Sequence, residues 1–126
     1  MTKKISPSMM CADIFSLGET LDVFEKNGVS YLHIDIMDGE FVPNFTLGTD
    51  YCRIMKKATS IPLDIHLMIN DPIRYVDRFV KAGADMITFH IESTDDPEAV
   101  MENYRQGLGR MRRREHYEEY ANSGFF

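Results

Sequence analysis

No apolar run in this chain approaches the roughly 20 residues that a membrane-crossing helix needs. The opening Met1-Thr2-Lys3-Lys4-Ile5-Ser6-Pro7 carries no apolar signal region either. A cytoplasmic protein with no membrane partner is the expectation. Cysteine is scarce: Cys11 and Cys52 are the 2 present, with no CxxC spacing of the metal-binding kind. Both are read as reduced thiols, with a single bridge between them left open. Basic charge does not dominate, since 14 Lys and Arg stand against 20 Asp and Glu for a formal net charge of -6. That balance argues against a nucleic-acid surface and suits an enzyme of small molecules. A phosphorylated substrate would need a local cluster of amides or cations. Glycine-rich phosphate loops are also missing, because Gly107-Leu108-Gly109 is too sparse and lacks a strand-to-helix context. With 126 residues and 44% hydrophobic content, the chain is one domain at most and can bury a real core.

What is present is a set of ligand-type residues inside apolar runs. The runs are Tyr31-Leu32-His33-Ile34-Asp35-Ile36-Met37 and Pro62-Leu63-Asp64-Ile65-His66-Leu67-Met68, and each reads as a strand. Residues two apart on a strand share a face, so His33 and Asp35 point together. If the second run lies nearby in a parallel sheet, His66 joins them at the same strand ends. Two imidazoles and a carboxylate suit a borderline divalent metal with an open position for substrate. One buried histidine alone would read as a satisfied core residue; three such residues in apolar strands read as a site.

The rest of the chain alternates strand and helix. Residues 4–7 open as a short strand. A helix follows with Leu17, Leu21 and Phe24 inward, Ser16 and Glu19 as a capping box, and Asn27-Gly28 as its stop. After the first His/Asp strand, a loop over residues 38–45 leads to a helix around Tyr51, Ile54, Met55 and Ala58. Asn70-Asp71-Pro72 predicts a helix start that buries Ile73, Val76 and Val80 and ends at Ala82-Gly83. A further strand over residues 86–91 leads to Asp96-Pro97, the same start signal again. Four strand–helix units in succession imply parallel strands with right-handed crossovers.

His33-Ile34-Asp35-Ile36-Met37-Asp38-Gly39-Glu40-Phe41-Val42-Pro43-Asn44 resembles the signature of ribulose-phosphate 3-epimerases. So do Ser6-Pro7-Ser8, Leu63-Asp64-Ile65-His66-Leu67-Met68 and Ala82-Gly83-Ala84-Asp85, in order and spacing, from about Ile5 to Tyr104. Met9-Met10-Cys11 is somewhat more similar to the allulose-6-phosphate 3-epimerase branch. The resemblance implies an α/β fold, the parallel (β/α) units of a ribulose-phosphate-binding TIM barrel, moving a proton at C3 of a ketose phosphate. It places the metal ligands on His33, Asp35 and His66, with zinc, iron, manganese or cobalt as the metal. Asp35 is also similar to the family's acid/base on one face of the substrate. Ser8 resembles a residue that hydrogen-bonds substrate, and His33 and His66 share that surface. Met37 and Met68 resemble methionines packed around the reacting carbons, although alone they would read as core. His90 and Glu92 end their strand near the same mouth and are read as supporting or solvated residues.

Departures from the family pattern are equally informative. A complete barrel takes about 250 residues, and about four units are legible here. No position matches the family's second aspartate, which serves the opposite face of the substrate and completes the metal site. Past Tyr104 the text turns to Arg105-Gln106-Gly107-Leu108-Gly109-Arg110-Met111-Arg112-Arg113-Arg114, with Glu115, Glu118 and Glu119 following. No fifth apolar strand appears. The expectation is a truncated barrel: residues 1–104 as its N-terminal half and 105–126 as a divergent tail, helical or disordered, either out of register with the ancestral frame or otherwise replaced. The glutamates offset the arginine run, which argues against nucleic-acid binding. Three readings follow: an epimerase working as a homo-oligomer or with a missing second half-barrel, a non-catalytic metal-binding or assembly module, and, more weakly, another metal-dependent barrel enzyme such as a lyase.

Overall fold

Strict alternation builds the central sheet. In strands β1 (Leu32–Asp38) and β3 (Leu63–Met68), Leu32, Ile34, Ile36, Leu63, Ile65 and Leu67 turn to one face and are buried. Each such side chain contributes about 1.5–3 kcal/mol when fully removed from water. The intervening residues His33, Asp35, Asp64 and His66 therefore share the opposite face. The structure, a computed structural model, describes residues 3–121. Helices α1 (Leu17–Lys26), α2 (Thr49–Ala58), α3 (Val76–Ala82) and α4 (Pro97–Ala121) alternate with β1, a two-residue β2 (Phe45–Thr46), β3 and β4 (Met86–Phe89).

The sheet order is β2-β1-β3-β4, with β1, β3 and β4 parallel and β2 antiparallel to β1. The parallel α/β architecture is the one the sequence predicts. Its register sets Asp35 opposite His66, and His66 opposite Thr88. Cys52 and Met55 of α2, Val76, Phe79 and Val80 of α3, and Val100 of α4 cover the apolar face. Both cysteines are free, Cys11 exposed and Cys52 buried, and burial pushes the Cys52 thiol up to about 12. No helix among the described residues is long and apolar enough to cross a membrane.

Several local expectations need correction. The segment expected as a strand at 4–7 is extended and lies along β1, but it forms a single bridge, Ser8 to His33. Ile5 O accepts from the Ser30 and Tyr31 amides, and Pro7 O accepts from the His33 amide at 3.0 Å. Pro7 has no N–H to return, which interrupts the ladder. The capping box at Ser16 does not form; Ser16 makes no side-chain cap, and Asp13 instead accepts from the Phe15 amide at 3.0 Å. The loop expected over 38–45 includes the start of β2.

The two Asp-Pro signals also diverge. Asp96 caps α4, its Oδ1 accepting from the Ala99 amide at 3.0 Å. Asp71 sits in the left-handed region at φ 51 and caps nothing, so Pro72–Arg74 is a 3-10 turn and α3 begins at Val76. Ile73, expected inside, is consequently exposed on that turn, and Phe79 joins Val76 and Val80 in the core.

Helix α4 runs through position 104 without a break. Leu108 and Met111 pack against the core, and Arg110 pairs with Asp77 at 2.7 Å. Gly107 faces α3, where a Cβ would stand 3.4 Å from the Val80 methyls and Asp77 Oδ1, an ordinary contact distance. Residues 122–126 of the expected tail lie outside the described residues. Strand β4 ends the sheet, and between it and α4 lies a cleft of about 360 Å³ lined by Val76, Ile87, Phe89, Val100, Met101 and Tyr104, among others.

Candidate metal centre

The Asp35 carboxylate is the focus of the polar face. Its Oδ1 stands 3.0 Å from His33 Nε2 and 2.9 Å from His66 Nδ1, and Ser8 Oγ donates to its Oδ2 at 3.1 Å. Burial pulls this carboxyl upward, but the His66 and Ser8 hydrogen bonds and the histidine charges outweigh it, so its pKa lies below the usual value. The chain position of the carboxylate is fixed as well, because Thr46 Oγ1 of β2 donates to the Asp35 carbonyl at 2.8 Å. His33 also reaches Asp64, its Nδ1 lying 2.9 Å from Asp64 Oδ2. Burial lowers the His33 pKa, but the Asp64 bond and the Asp35 and Asp64 charges raise it more, leaving it above the ordinary value.

These contacts bear directly on what the cluster can hold. An ionised Asp64 only accepts, so His33 Nδ1 carries the proton in that pair. His33 Nε2 then turns a lone pair toward Asp35 Oδ1, itself an acceptor, at 3.0 Å. Two acceptors that close require a positive charge, either a second proton on His33 or a metal ion. His33, Asp35 and His66 each offer one ligand atom, all within 4.8 Å of one another. Two imidazole nitrogens and one carboxylate oxygen fit a borderline divalent cation. Asp64 holds the His33 ring through Nδ1, the arrangement that outer partners of histidine ligands take in metal sites.

The remaining residues singled out by sequence fall around this cluster. Ser8 touches Asp35 directly. Met37 and Met68 are register partners at the next step up the same face, both half-buried. His90 follows β4 with its Nε2 2.8 Å from His66 Nε2, whereas Glu92 is exposed on the turn Ile91–Ser93.

Asp64 and Asp38 were not singled out by sequence reading. Asp64 had a usable signal, since it precedes His66 by two residues as His33 precedes Asp35. Asp38 ties two loops: its Oδ1 accepts from the Glu40 and Phe41 amides at 2.9 Å each, and its Oδ2 from the Asn70 amide at 2.8 Å. Within that turn Gly39 is left-handed at φ 73, with the Phe45 ring where a Cβ would be. Burial raises the Asp38 carboxyl, but the Phe41, Asn70 and Glu40 amides lower it further, to below 3.8.

Asp38→Ala is expected to cost about 1–3 kcal/mol by orphaning these amides. Because the folded pKa is depressed, the contribution is complete above the unfolded value near 3.8 and is lost as pH falls through the folded one. Urea titrations of parent and variant from neutral pH downward should therefore converge only below that value. A difference independent of pH would contradict the assignment.

Known proteins place this site in context. The model of the ribulose-phosphate 3-epimerase family matches residues 4–110. Ribulose-phosphate 3-epimerase of Bacillus subtilis (strain 168) is 46% identical over 90 residues, covering 71% of this chain and 42% of that protein. The enzyme of Treponema pallidum (strain Nichols) is 43% identical over 89 residues, covering 71% and 41%. That of Synechocystis sp. (strain ATCC 27184 / PCC 6803 / Kazusa) is 42% identical over 93 residues, covering 74% and 40%. The chain thus spans about two fifths of the length of the curated relatives it matches. With the family match running across every residue of the His/Asp/His cluster, the chain belongs to the ribulose-phosphate 3-epimerase family.

Proposed function

We propose that this chain carries the metal-holding, first-face half of a ketose-phosphate 3-epimerase acting between D-ribulose 5-phosphate and D-xylulose 5-phosphate in the cytoplasm. The observation that carries the reading is a single carboxylate oxygen, Asp35 Oδ1, within 3.0 Å of both His33 Nε2 and His66 Nδ1. His33, Asp35 and His66 would hold one divalent cation: zinc, iron, manganese or cobalt. When bound, it supplies Lewis-acid stabilisation of the charge that builds on the enediolate oxygens.

Asp35 takes the C3 proton on the face it occupies. Its depressed pKa keeps it ionised at neutral pH but makes it a weak base, so position rather than basicity supplies its effectiveness. Ser8 steadies Asp35 Oδ2 at 3.1 Å and is the residue to which a substrate hydroxyl would bond. Met37 and Met68 provide an apolar surface whose thioethers donate no proton to a carbanion-like intermediate. Purified chain loaded with metal and incubated with D-ribulose 5-phosphate in deuterated water should place deuterium at C3. Uptake equal with and without metal, or no uptake at all, would contradict this reading. Running allulose 6-phosphate in parallel separates the other branch that Met9-Met10-Cys11 resembles.

A second reading, an assembly module, is favoured by the outer edge of β4 and the apolar cleft beside it. An open edge next to apolar side chains is a template for another chain, either a second copy or a complementary half-barrel. The isolated chain is expected to sediment as a dimer or larger species at roughly tens of micromolar. A well-behaved monomer in analytical ultracentrifugation would count against this.

A further inference from the structure

We propose that His90 is a positioning residue for the metal centre, holding the His66 ring through an Nε2-to-Nε2 hydrogen bond so that His66 Nδ1 stays on the Asp35 side. The two nitrogens are 2.8 Å apart, and the ring centroids 5.0 Å with a tilt of 32°. One nitrogen must donate and the other accept. An imidazole does either, so the bond survives both states of His66. While His66 Nδ1–H donates to Asp35, its Nε2 accepts from His90; with Nδ1 as a ligand, Nε2–H donates to His90 instead. An alkyl or phenyl side chain at position 90 can do neither.

His90 is itself held. The Phe41 ring lies against it at 5.2 Å between centroids, and the Phe41 amide is fixed by Asp38, which also ties down the Asn70 amide. The loop after β1 and the loop after β3 are thus joined at Asp38, and through Phe41 and His90 they reach His66. Second-sphere partners of this kind typically change metal affinity by about 10–100-fold.

The inference rests on the metal reading for its affinity arm alone, and two measurements separate them. In the metal-free 15N-labelled chain, a nitrogen–nitrogen coupling across the His66–His90 hydrogen bond is expected, and its absence would overturn the proposal. In zinc titrations, His90→Phe, which keeps a ring for Phe41, should weaken binding about 10–100-fold. His90→Gln, which can still donate or accept, should recover most of it. Equal zinc affinity in the parent and His90→Phe would overturn the proposal. A parent that shows the coupling yet binds no zinc would overturn the metal reading and support the His90 contact. If His90→Phe does not fold, the coupling in the parent and the His90→Gln titration decide.

Discussion

His66→Ala is expected to abolish most zinc binding, by more than the roughly 10–100-fold that loss of an outer partner causes. The substitution removes one of three ligand atoms that lie within 4.8 Å of one another, and leaves Asp35 with one imidazole. It should do so without unfolding the chain. His66 lies on the polar face of β3, while Leu63, Ile65 and Leu67 on the other face keep their burial. Isothermal titration with zinc reads the first effect and far-ultraviolet circular dichroism the second. Zinc affinity equal to that of the parent, in a folded variant, would mean that these side chains are not the site.

Net inversion at C3 by the 126-residue chain is expected to lag proton exchange by about 10²–10⁴-fold, the usual cost of a missing positioned acid/base. Inversion needs a proton delivered to the face opposite Asp35. The other carboxylate at the cluster, Asp64, shares the sheet face of Asp35 and is paired with His33 Nδ1 at 2.9 Å, so it does not serve the opposite face. Remote binding of the substrate phosphate also normally supports turnover as well as affinity, and no glycine-rich phosphate loop is legible in the sequence. Incubation in deuterated water should therefore return labelled D-ribulose 5-phosphate with little D-xylulose 5-phosphate. Efficient metal-dependent conversion by chain free of host enzyme would overturn this expectation and favour a barrel completed by assembly.

The convergence of His33, Asp35 and His66 was legible in the sequence because strand alternation is a strict geometric rule. Apolar residues at every second position of β1 and β3 force His33, Asp35 and His66 onto one face. The parallel register then sets Asp35 beside His66. Asp38 was harder to see, since its role depends on three backbone amides, one of them from a loop over thirty residues away in sequence. The His66–His90 bond depends on the reach of two rings, one on β3 and one just past the end of β4, which neither segment encodes alone. Local capping signals misled where backbone conformation overrode them. Asp71-Pro72 and Asp96-Pro97 read alike, yet the left-handed Asp71 gives a 3-10 turn and exposes Ile73, whereas Asp96 caps a long helix. The arginine-rich segment looked separate by composition, but Gly107, Leu108 and Arg110 engage α3 or the core as part of α4.

X-ray absorption at the zinc edge of the loaded chain tests the central claim most directly. One zinc per chain, with a nitrogen and oxygen shell near ~2.0–2.2 Å and an imidazole signature, is the result the His33, Asp35 and His66 site predicts. A shell near ~2.3 Å, which marks sulfur and hence Cys11 or Cys52, or no stoichiometric zinc at all, would contradict it.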